Sequence, residues 1–184
     1  MSEMQDKSFP DYNGYVNISC CKNLGMLTFR GNLLSPAIKK AFGVSNFEPR
    51  SLQIKYGLSL GWMSPDELLI LCPWEQTTST LLKLENSFRG EHTLLIDVSD
   101  SRLVFNVKGS KVRESIAKLA PIDLAPGAFG LGELRRTRLG QIPSAFWMEE
   151  EEVCKVVCFR SVAKYMYDQL CFCSAKGSEV GIWN

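Results

Sequence analysis

The feature that most constrains the fold of this chain is an order of secondary-structure signals that occurs twice. Apolar periodicity and turn residues predict a strand, a helix, a long connection, two strands joined by a turn, and a second helix. The order occurs first in residues 20–90 and again in residues 91–174. The two halves share little sequence identity, so the repetition lies in the pattern, and it predicts two related modules.

Local signals define the elements of the first module. Ser35 and Pro36 have the residue types of a helix N-cap and first turn, and Gly43 has that of a C-cap. Residues 64–67 read as a polar turn with Pro65 in a favoured position. The predicted strands are 24–30, 52–63 and 68–72, and the second of these has a break at Gly57. The predicted helices are 37–42 and 74–87. The second helix is expected to bury Leu81, Leu82 and Leu84.

The second module is predicted from the same kinds of signal. It begins with an added strand at 92–98, and an acidic turn at 148–152 joins its last two strands. Ser110 and Ser161 are the predicted N-caps of its two helices. The remaining predicted elements are strands at 103–107, 134–147 and 153–159, a helix through 119 with Val112, Ile116, Leu119 and Ala120 on its apolar stripe, and a final helix with Val162, Tyr165, Met166 and Leu170 on one face.

These elements predict the fold class. Strands joined by hairpins, with helices gathered on one face, are typical of an α+β fold with antiparallel sheets. We therefore predict two pseudo-repeated strand-helix-strand-strand-helix modules with antiparallel sheets. Modules of this size are marginal alone, so residues 20–174 are expected to form one compact domain.

The two ends of the chain do not fit the repeated pattern. Residues 1–19 are predicted to be an irregular arm and residues 175–184 a tail. They contain Phe9, Tyr12, Tyr15 and Trp183, and aromatic side chains need a surface that buries them. The sequence leaves open whether they fold back onto this chain or dock on a partner.

Composition and charge exclude several classes of protein. The chain has 21 basic and 20 acidic residues, so it is a poor candidate for neutralising nucleic-acid phosphates. A secretion signal and an apolar run long enough to span a membrane are not evident, and we expect a cytoplasmic protein. The seven cysteines are odd in number and contain no Cys-x-x-Cys spacing, which favours small buried thiols over disulfides or zinc ligation.

The chemistry-bearing motifs favour structural roles. His92 has no recognisable catalytic partner, and residues 149–152 fit a solvated acidic turn better than a metal site. The glycine-rich segment 127–132 leads into a strand, unlike a dinucleotide loop. A cluster of three arginines could bind an anionic ligand or an acidic partner, although the favoured interpretation is that its charges protect a sheet edge. The cluster consists of Arg135, Arg136 and Arg138.

Asp97 and Asp100 on either side of Ser99 are the best candidate for acid–base work. Two carboxylates and a hydroxyl can transfer protons if they face a cleft, and Arg102 is positioned to pair with either carboxylate. However, Asp and Ser at a strand end commonly hydrogen-bond the nearby backbone, which is the favoured interpretation. We therefore predict no catalytic, cofactor-binding or metal-binding residue in this chain.

An ordered set of motifs resembles one known family. Residues 97–102 read DVSDSR and precede an apolar strand, Gly109, a helix and the segment PIDL at 121–124. The turn SPDE at 64–67 leads into LLIL and Pro73, and the C-terminal run at 160–170 reads RSVAKYMYDQL. Over roughly residues 55–172 this set resembles the gamma subunit family of heterotetrameric sarcosine oxidase.

The resemblance implies a fold and a function. The family is similar in fold to the folate-binding region of glycine-cleavage aminomethyltransferases. It implies a non-catalytic subunit of a complex that oxidises sarcosine to glycine and hydrogen peroxide and forms methylenetetrahydrofolate. FAD, FMN, NAD and tetrahydrofolate are then expected in the larger alpha and beta subunits, a small delta subunit completes the complex, and this chain holds no cofactor. The isolated chain is expected to lack catalytic activity.

Two other functions remain open at this stage. The shared fold and the pair Asp97 and Asp100 would also suit a stand-alone folate-binding protein or a one-carbon transferase-like protein. An adaptor for another dehydrogenase is the third possibility, since a fold does not fix a function.

Overall fold

The computed structural model describes residues 9–183 and divides them into two compact units. The central unit comprises residues 23–100, and the terminal unit combines residues 9–22 with residues 101–183. The strands are β1 (Tyr12–Asn13), β2 (Asn17–Cys20), β3 (Leu24–Arg30), β4 (Leu52–Lys55), β5 (Leu58–Ser64), β6 (Glu67–Pro73), β7 (Leu94–Asp97), β8 (Arg102–Lys108), β9 (Leu134–Leu139), β10 (Ile142–Glu150) and β11 (Val153–Phe159). The helices are α1 (Pro36–Phe42), α2 (Thr77–Ser87), α3 (Val112–Ala117) and α4 (Ala163–Cys173), with 3₁₀ turns at Trp74–Gln76 and Arg160–Val162.

The central unit is an antiparallel sheet with two helices on one face. Its strand order is β4-β5-β6-β3-β7, which leaves β4 and β7 outermost. The core between sheet and helices contains Phe29 at its centre, in ring contact with Phe42 of α1 and with Phe88. Alternate residues of β3 enter this core because successive side chains of a strand point to opposite faces.

The terminal unit repeats this arrangement and extends it. Its strand order is β1-β2-β8-β11-β10-β9, and every neighbouring pair is antiparallel. The core lies between the sheet and helices α3 and α4. Phe105, Phe146 and Phe129 are among its fully buried side chains.

Equivalent backbone hydrogen bonds show that the two units are copies of one structure. The amide of Gly31 donates to the Asp66 carbonyl in the central unit, as Gly109 does to Glu152 in the terminal unit, at 2.9 Å in both. The hairpins β5–β6 and β10–β11 each carry a register shift just before the turn. A 3₁₀ turn and an 11-residue helix follow each hairpin. The predicted repeat and the α+β class with antiparallel sheets are therefore confirmed.

The predicted module boundaries differ from the structure at two places. Residues 91–174 were expected to form the second module, but β7 pairs with β3 and belongs to the central unit. Residues 1–19 were expected to be irregular, but β1 and β2 extend the terminal sheet beside β8. Both differences arise because short strands are fixed by long-range pairing, which periodicity over a few residues does not encode.

Several local predictions also need correction. The strand expected at 134–147 is a hairpin that turns at Gly140, whose φ of +57° suits glycine. The side chain of Leu82 is 54% exposed, and Tyr165 of α4 is 46% exposed, so neither belongs to a core face. Helices α3 and α4 begin after Lys111 and Val162 because a turn or a 3₁₀ segment precedes each, so Ser110 and Ser161 are not their N-caps. Within residues 9–183, no helix is long and apolar enough to cross a membrane.

Candidate functional site

Asp97 and Ser99 form a clamp that ties the end of β7 to the start of β3. The Asp97 carboxylate accepts from the Ser99 amide at 2.9 Å and lies 2.6 Å from the Ser99 hydroxyl. That hydroxyl oxygen is buried and accepts the amide of Met26 at 2.9 Å. The arrangement satisfies a buried backbone amide, which is a structural role.

Asp100 and Arg102 follow this clamp in the sequence. Asp100 is exposed in the turn that follows Ser99. The guanidinium of Arg102 lies over the ring of Phe159, 5.6 Å from its centroid. A cation above an aromatic face is a stabilising contact between β8 and the end of β11.

A polar row crosses the terminal sheet around Lys155. Lys155 lies opposite Trp147 on β10 and opposite Asn106 on β8. Its ammonium is 3.1 Å from the Glu149 carboxylate and 3.6 Å from the Cys21 sulfur. Burial raises the pKa of Cys21 against the opposing influence of Lys155, so the sulfur stays a thiol near neutral pH.

The same row retains unused hydrogen-bonding capacity. Burial acts to lower the pKa of Lys155, but the Glu149 carboxylate opposes burial and the net pKa is raised, so the ammonium stays charged. The indole Nε1 of Trp147 and the Oδ1 of Asn106 are buried without a hydrogen-bond partner among the described residues. Buried polar atoms of this kind are ordinarily satisfied by ordered water. A charged ammonium beside a neutral thiol is not an activated nucleophile pair.

The other cysteines are buried or half-buried thiols, and none of the seven forms a disulfide. Burial raises the pKa of Cys154 and of Cys158 to about 12 in each case. Burial also raises the pKa of Cys72, Cys171 and Cys173. Since the thiolate is the reactive form, these residues behave as small apolar side chains, as the sequence predicted.

The acidic turn at 149–152 is exposed and forms ion pairs with basic residues of the terminal unit. Glu149 pairs with Lys155, and Glu151 pairs with Arg113 at 3.3 Å. No group of three or more His, Cys, Asp or Glu side chains that could hold a metal ion occurs among residues 9–183. The geometry therefore matches a solvated hairpin turn.

The arginine cluster lies on β9, the outermost strand of the terminal sheet. Arg136 and Arg138 are exposed, whereas Arg135 pairs with Glu133 at 3.1 Å and lies 5.2 Å from the Phe129 ring centroid. Charges on an outermost strand oppose pairing with other chains, which supports the edge-protecting interpretation. His92 is exposed just before β7, and residues 127–132 form the loop that leads into β9.

The aromatic residues of both ends fold back onto the terminal unit. Phe9 contacts the rings of Phe105 and Tyr167, at centroid distances of 5.5 and 5.4 Å. Tyr12, Tyr15 and Trp183 pack against the same core. Of the two alternatives, folding back onto this chain is the one that the described residues show.

Glu114 of α3 and Lys118, just after α3, hold the two ends of the chain in place. The sequence did not predict this role. The ammonium of Lys118 donates to the Tyr15 hydroxyl at 3.0 Å, to the Cys173 carbonyl at 3.0 Å and to the Ser178 carbonyl at 2.6 Å. The buried Glu114 carboxylate accepts the amides of Val180 and Gly181. The sequence contains no distinctive signal of this role, because Arg113 and Glu114 lie between the apolar positions 112 and 116, where charged side chains commonly face solvent.

Comparison with known proteins assigns the family. Residues 31–176 match the family described as sarcosine oxidase, gamma subunit family. The chain belongs to this family. The match begins further toward the N-terminus than the motifs at 55–172 indicated, and it includes α1.

Individual relatives agree with this assignment. The chain is 31% identical over 96 residues to a sarcosine oxidase subunit gamma from Arthrobacter sp, covering 52% of this chain and 46% of the relative. It is 28% identical over 101 residues to that of Corynebacterium sp. strain U-96, covering 55% and 48% respectively. The chain thus spans about half the length of the curated relatives it matches.

Solved structures share the fold. A chain of the heterotetrameric sarcosine oxidase from Corynebacterium sp. U-96, in complex with pyrrole 2-carboxylate, matches with a TM-score of 0.80 at 22% identity, covering 94% of this chain and 91% of that one. The glycine cleavage system aminomethyltransferase T from Bartonella henselae matches with a TM-score of 0.65 at 10% identity, covering 83% and 44%. At such identities these likenesses establish the fold alone, and they confirm its expected relation to the aminomethyltransferases.

Proposed function

We propose that this chain is a non-catalytic gamma subunit of a heterotetrameric sarcosine oxidase complex. The observation that carries the proposal is the family match over residues 31–176, to which the fold likeness over most of one chain of such a complex adds support. The side chains that could carry out chemistry are bound to neighbouring groups or remain unreactive, which agrees with a non-catalytic role. Asp97 is held by Ser99, Lys155 by Glu149, and the cysteines remain thiols.

The complex is proposed to demethylate sarcosine oxidatively. The products are glycine and hydrogen peroxide, with methylenetetrahydrofolate formed when tetrahydrofolate is present. The alpha and beta subunits are proposed to hold FAD, FMN, NAD and tetrahydrofolate, and a small delta subunit completes the assembly in the cytoplasm. This chain binds neither nucleic acid nor membrane in the proposed role.

The test of the non-catalytic role uses the purified chain alone. We expect a colourless protein that produces no peroxide from sarcosine, with or without added flavin. The matched positive control is the complex purified from its native cell through a tag on this chain. Sarcosine turnover by the isolated chain would refute the proposal.

A stand-alone folate-binding or one-carbon transferase-like protein is the second candidate. The likeness to the aminomethyltransferase fold favours it, and its proposed ligand contacts were Asp97 and Asp100. The clamp on Ser99 counts against Asp97 in that role. Calorimetry with tetrahydrofolate decides between the two: tight binding by the isolated chain that Asp100→Ala abolishes supports the second candidate.

A further inference from the structure

The outer edge of β7 has open backbone positions. Strand β7 is outermost in the central sheet, and no strand of residues 9–183 pairs with its far side. The Val98 amide donates to the Met26 carbonyl at 2.8 Å, which fixes the alternation of the antiparallel ladder. Ile96 and Leu94 then bond to β3, and the backbone groups of Leu95 and Asp97 point outward.

Apart from Asp97, whose carboxylate is bound to Ser99, the side chains of β7 are apolar. Leu94 is 49% exposed and Ile96 is 46% exposed, and both lie on the same face. Natural sheets commonly place charges on an open edge to prevent pairing, as Arg136 and Arg138 do on β9. Strand β7 instead presents a Leu-Leu-Ile run, which favours pairing with another strand.

The repeat within this chain shows what covers the equivalent edge. Strand β2 occupies in the terminal sheet the position that β7 occupies in the central sheet, since the Cys21 amide donates to Val104 as Val98 donates to Met26. In the terminal unit, β1 pairs with the outer edge of β2, with Tyr12 opposite Ile18.

The register of the two copies makes the comparison specific. Ile18 of β2 corresponds to Leu95 of β7, because each lies one position before the residue paired with Asn106 or Thr28. Tyr12, which faces Ile18, packs against the core of its unit. A strand added at β7 would place a side chain opposite Leu95, next to the core that Leu95 contacts.

We propose that the outer edge of β7 receives a short extended segment of a partner chain, which pairs antiparallel with it as β1 pairs with β2. Such strand addition derives affinity from main-chain hydrogen bonds and selectivity from alternate side chains. The segment carries an apolar or aromatic residue opposite Leu95 and apolar side chains beside Leu94 and Ile96. The partner is a larger subunit of the complex, and this part of the inference rests on the proposed function.

The first experiment places a charge on the edge. The complex is purified through a tag on this chain, unsubstituted or carrying Ile96→Lys, and the larger chains are quantified. The matched control is Ile54→Lys on β4, the opposite outermost strand, where Ile54 is 71% exposed. We expect Ile96→Lys to reduce the recovered larger chains by about tenfold and Ile54→Lys to leave them unchanged.

The second experiment needs no substitution. Amide hydrogen exchange is compared between the free chain and the complex for the segment 94–98. We expect the Leu95 and Asp97 amides to exchange quickly in the free chain and at least about tenfold more slowly in the complex. The Leu94 and Ile96 amides, bonded to β3, should be slow in both.

The outcomes separate this inference from the proposed function. Larger chains that co-purify equally with the unsubstituted protein and with Ile96→Lys, with unchanged exchange at Leu95, overturn the inference and leave the proposed function standing. Absence of larger chains from the unsubstituted preparation overturns both. A homodimer that Ile96→Lys dissociates overturns the partner assignment, because a second copy then occupies the edge.

Discussion

Buried polar and charged side chains hold the irregular parts of this molecule. Arg113 is 9% exposed and donates to the carbonyls of Leu124 at 3.3 Å and Phe129 at 2.6 Å, which fixes the long connection after α3. Glu114 and Lys118 hold the C-terminal segment in a similar way. Because a buried charge is costly without hydrogen bonds, each such side chain fixes the segment that satisfies it.

The Ser99 clamp gives a first prediction at this scale. Ser99→Ala leaves the buried Met26 amide without its acceptor, so we expect the free energy of unfolding to fall by about 1–3 kcal/mol. Chemical denaturation measures the change. Ser87→Ala, at an exposed position of α2, is the control and should shift stability by no more than about 0.5 kcal/mol. Equal effects of the two variants would show that the clamp is dispensable.

Glu114 gives a prediction about pH. Burial acts to raise its pKa, but the amides of Val180 and Gly181 and the nearby Lys118 and Lys111 prevail and lower it from 4.5. A lowered pKa in the folded state means that the stabilisation is complete above about pH 4.5 and is lost as the pH falls through the folded value.

Replacing the Glu114 carboxylate with an amide removes this dependence of stability on pH. Glu114→Gln should lower the free energy of unfolding at neutral pH by about 1–2 kcal/mol and flatten the decline below pH 4.5. Denaturation series between pH 7 and pH 3 provide the measurement. A variant curve that runs parallel to the unsubstituted one would contradict the assignment.

Contacts between individual side chains were the part of the structure least predictable from sequence. The structural interpretation of Asp97 and Ser99 followed from local turn chemistry, because the two residues are neighbours in sequence. The contact between Tyr15 and Lys118 could not be predicted in this way, because the two residues are 103 positions apart in the sequence. Side-chain contacts over that separation depend on the complete fold.

At the scale of elements, the repeat explains most of what was predictable. Strand β3 and strand β11 begin and end where their apolar runs do, and Gly43 ends α1 with a φ of +67°. Both strands lie inside their sheets, so continuous burial makes their sequences distinctive. Strands β1 and β2 are short, and their pairing with each other and with β8 defines them. Strand β7 was predicted at 92–98, but its pairing with β3 places it in the central unit.

Two glycines with positive φ test the cost of backbone strain. A Cβ at Gly43 would meet the ring of Tyr56, whereas Gly57 has open space around it. Because Tyr56 is 75% exposed, its ring can swing away, so we expect Gly43→Ala and Gly57→Ala each to cost about 1–2 kcal/mol through the positive φ. Thermal or denaturant unfolding of the two variants tests this, and a much larger cost at Gly43 would show that the Tyr56 ring cannot move.

At the scale of the whole molecule, the family and the fold class were accessible from sequence, and the division into units was not. The ordered motifs identified the family because turns, caps and apolar runs occur in a fixed sequence. The chain alternates between units, since residues 9–22 complete the sheet that begins again at β8. Such discontinuous units are set by tertiary pairing.

The measurement that tests the central claim most directly is purification from the native cell through a tag on this chain, with the composition, flavin spectrum and sarcosine-dependent peroxide production of the product recorded together. We predict a yellow complex with larger chains that oxidises sarcosine. A colourless, solitary chain without flavin-bearing partners would contradict the account.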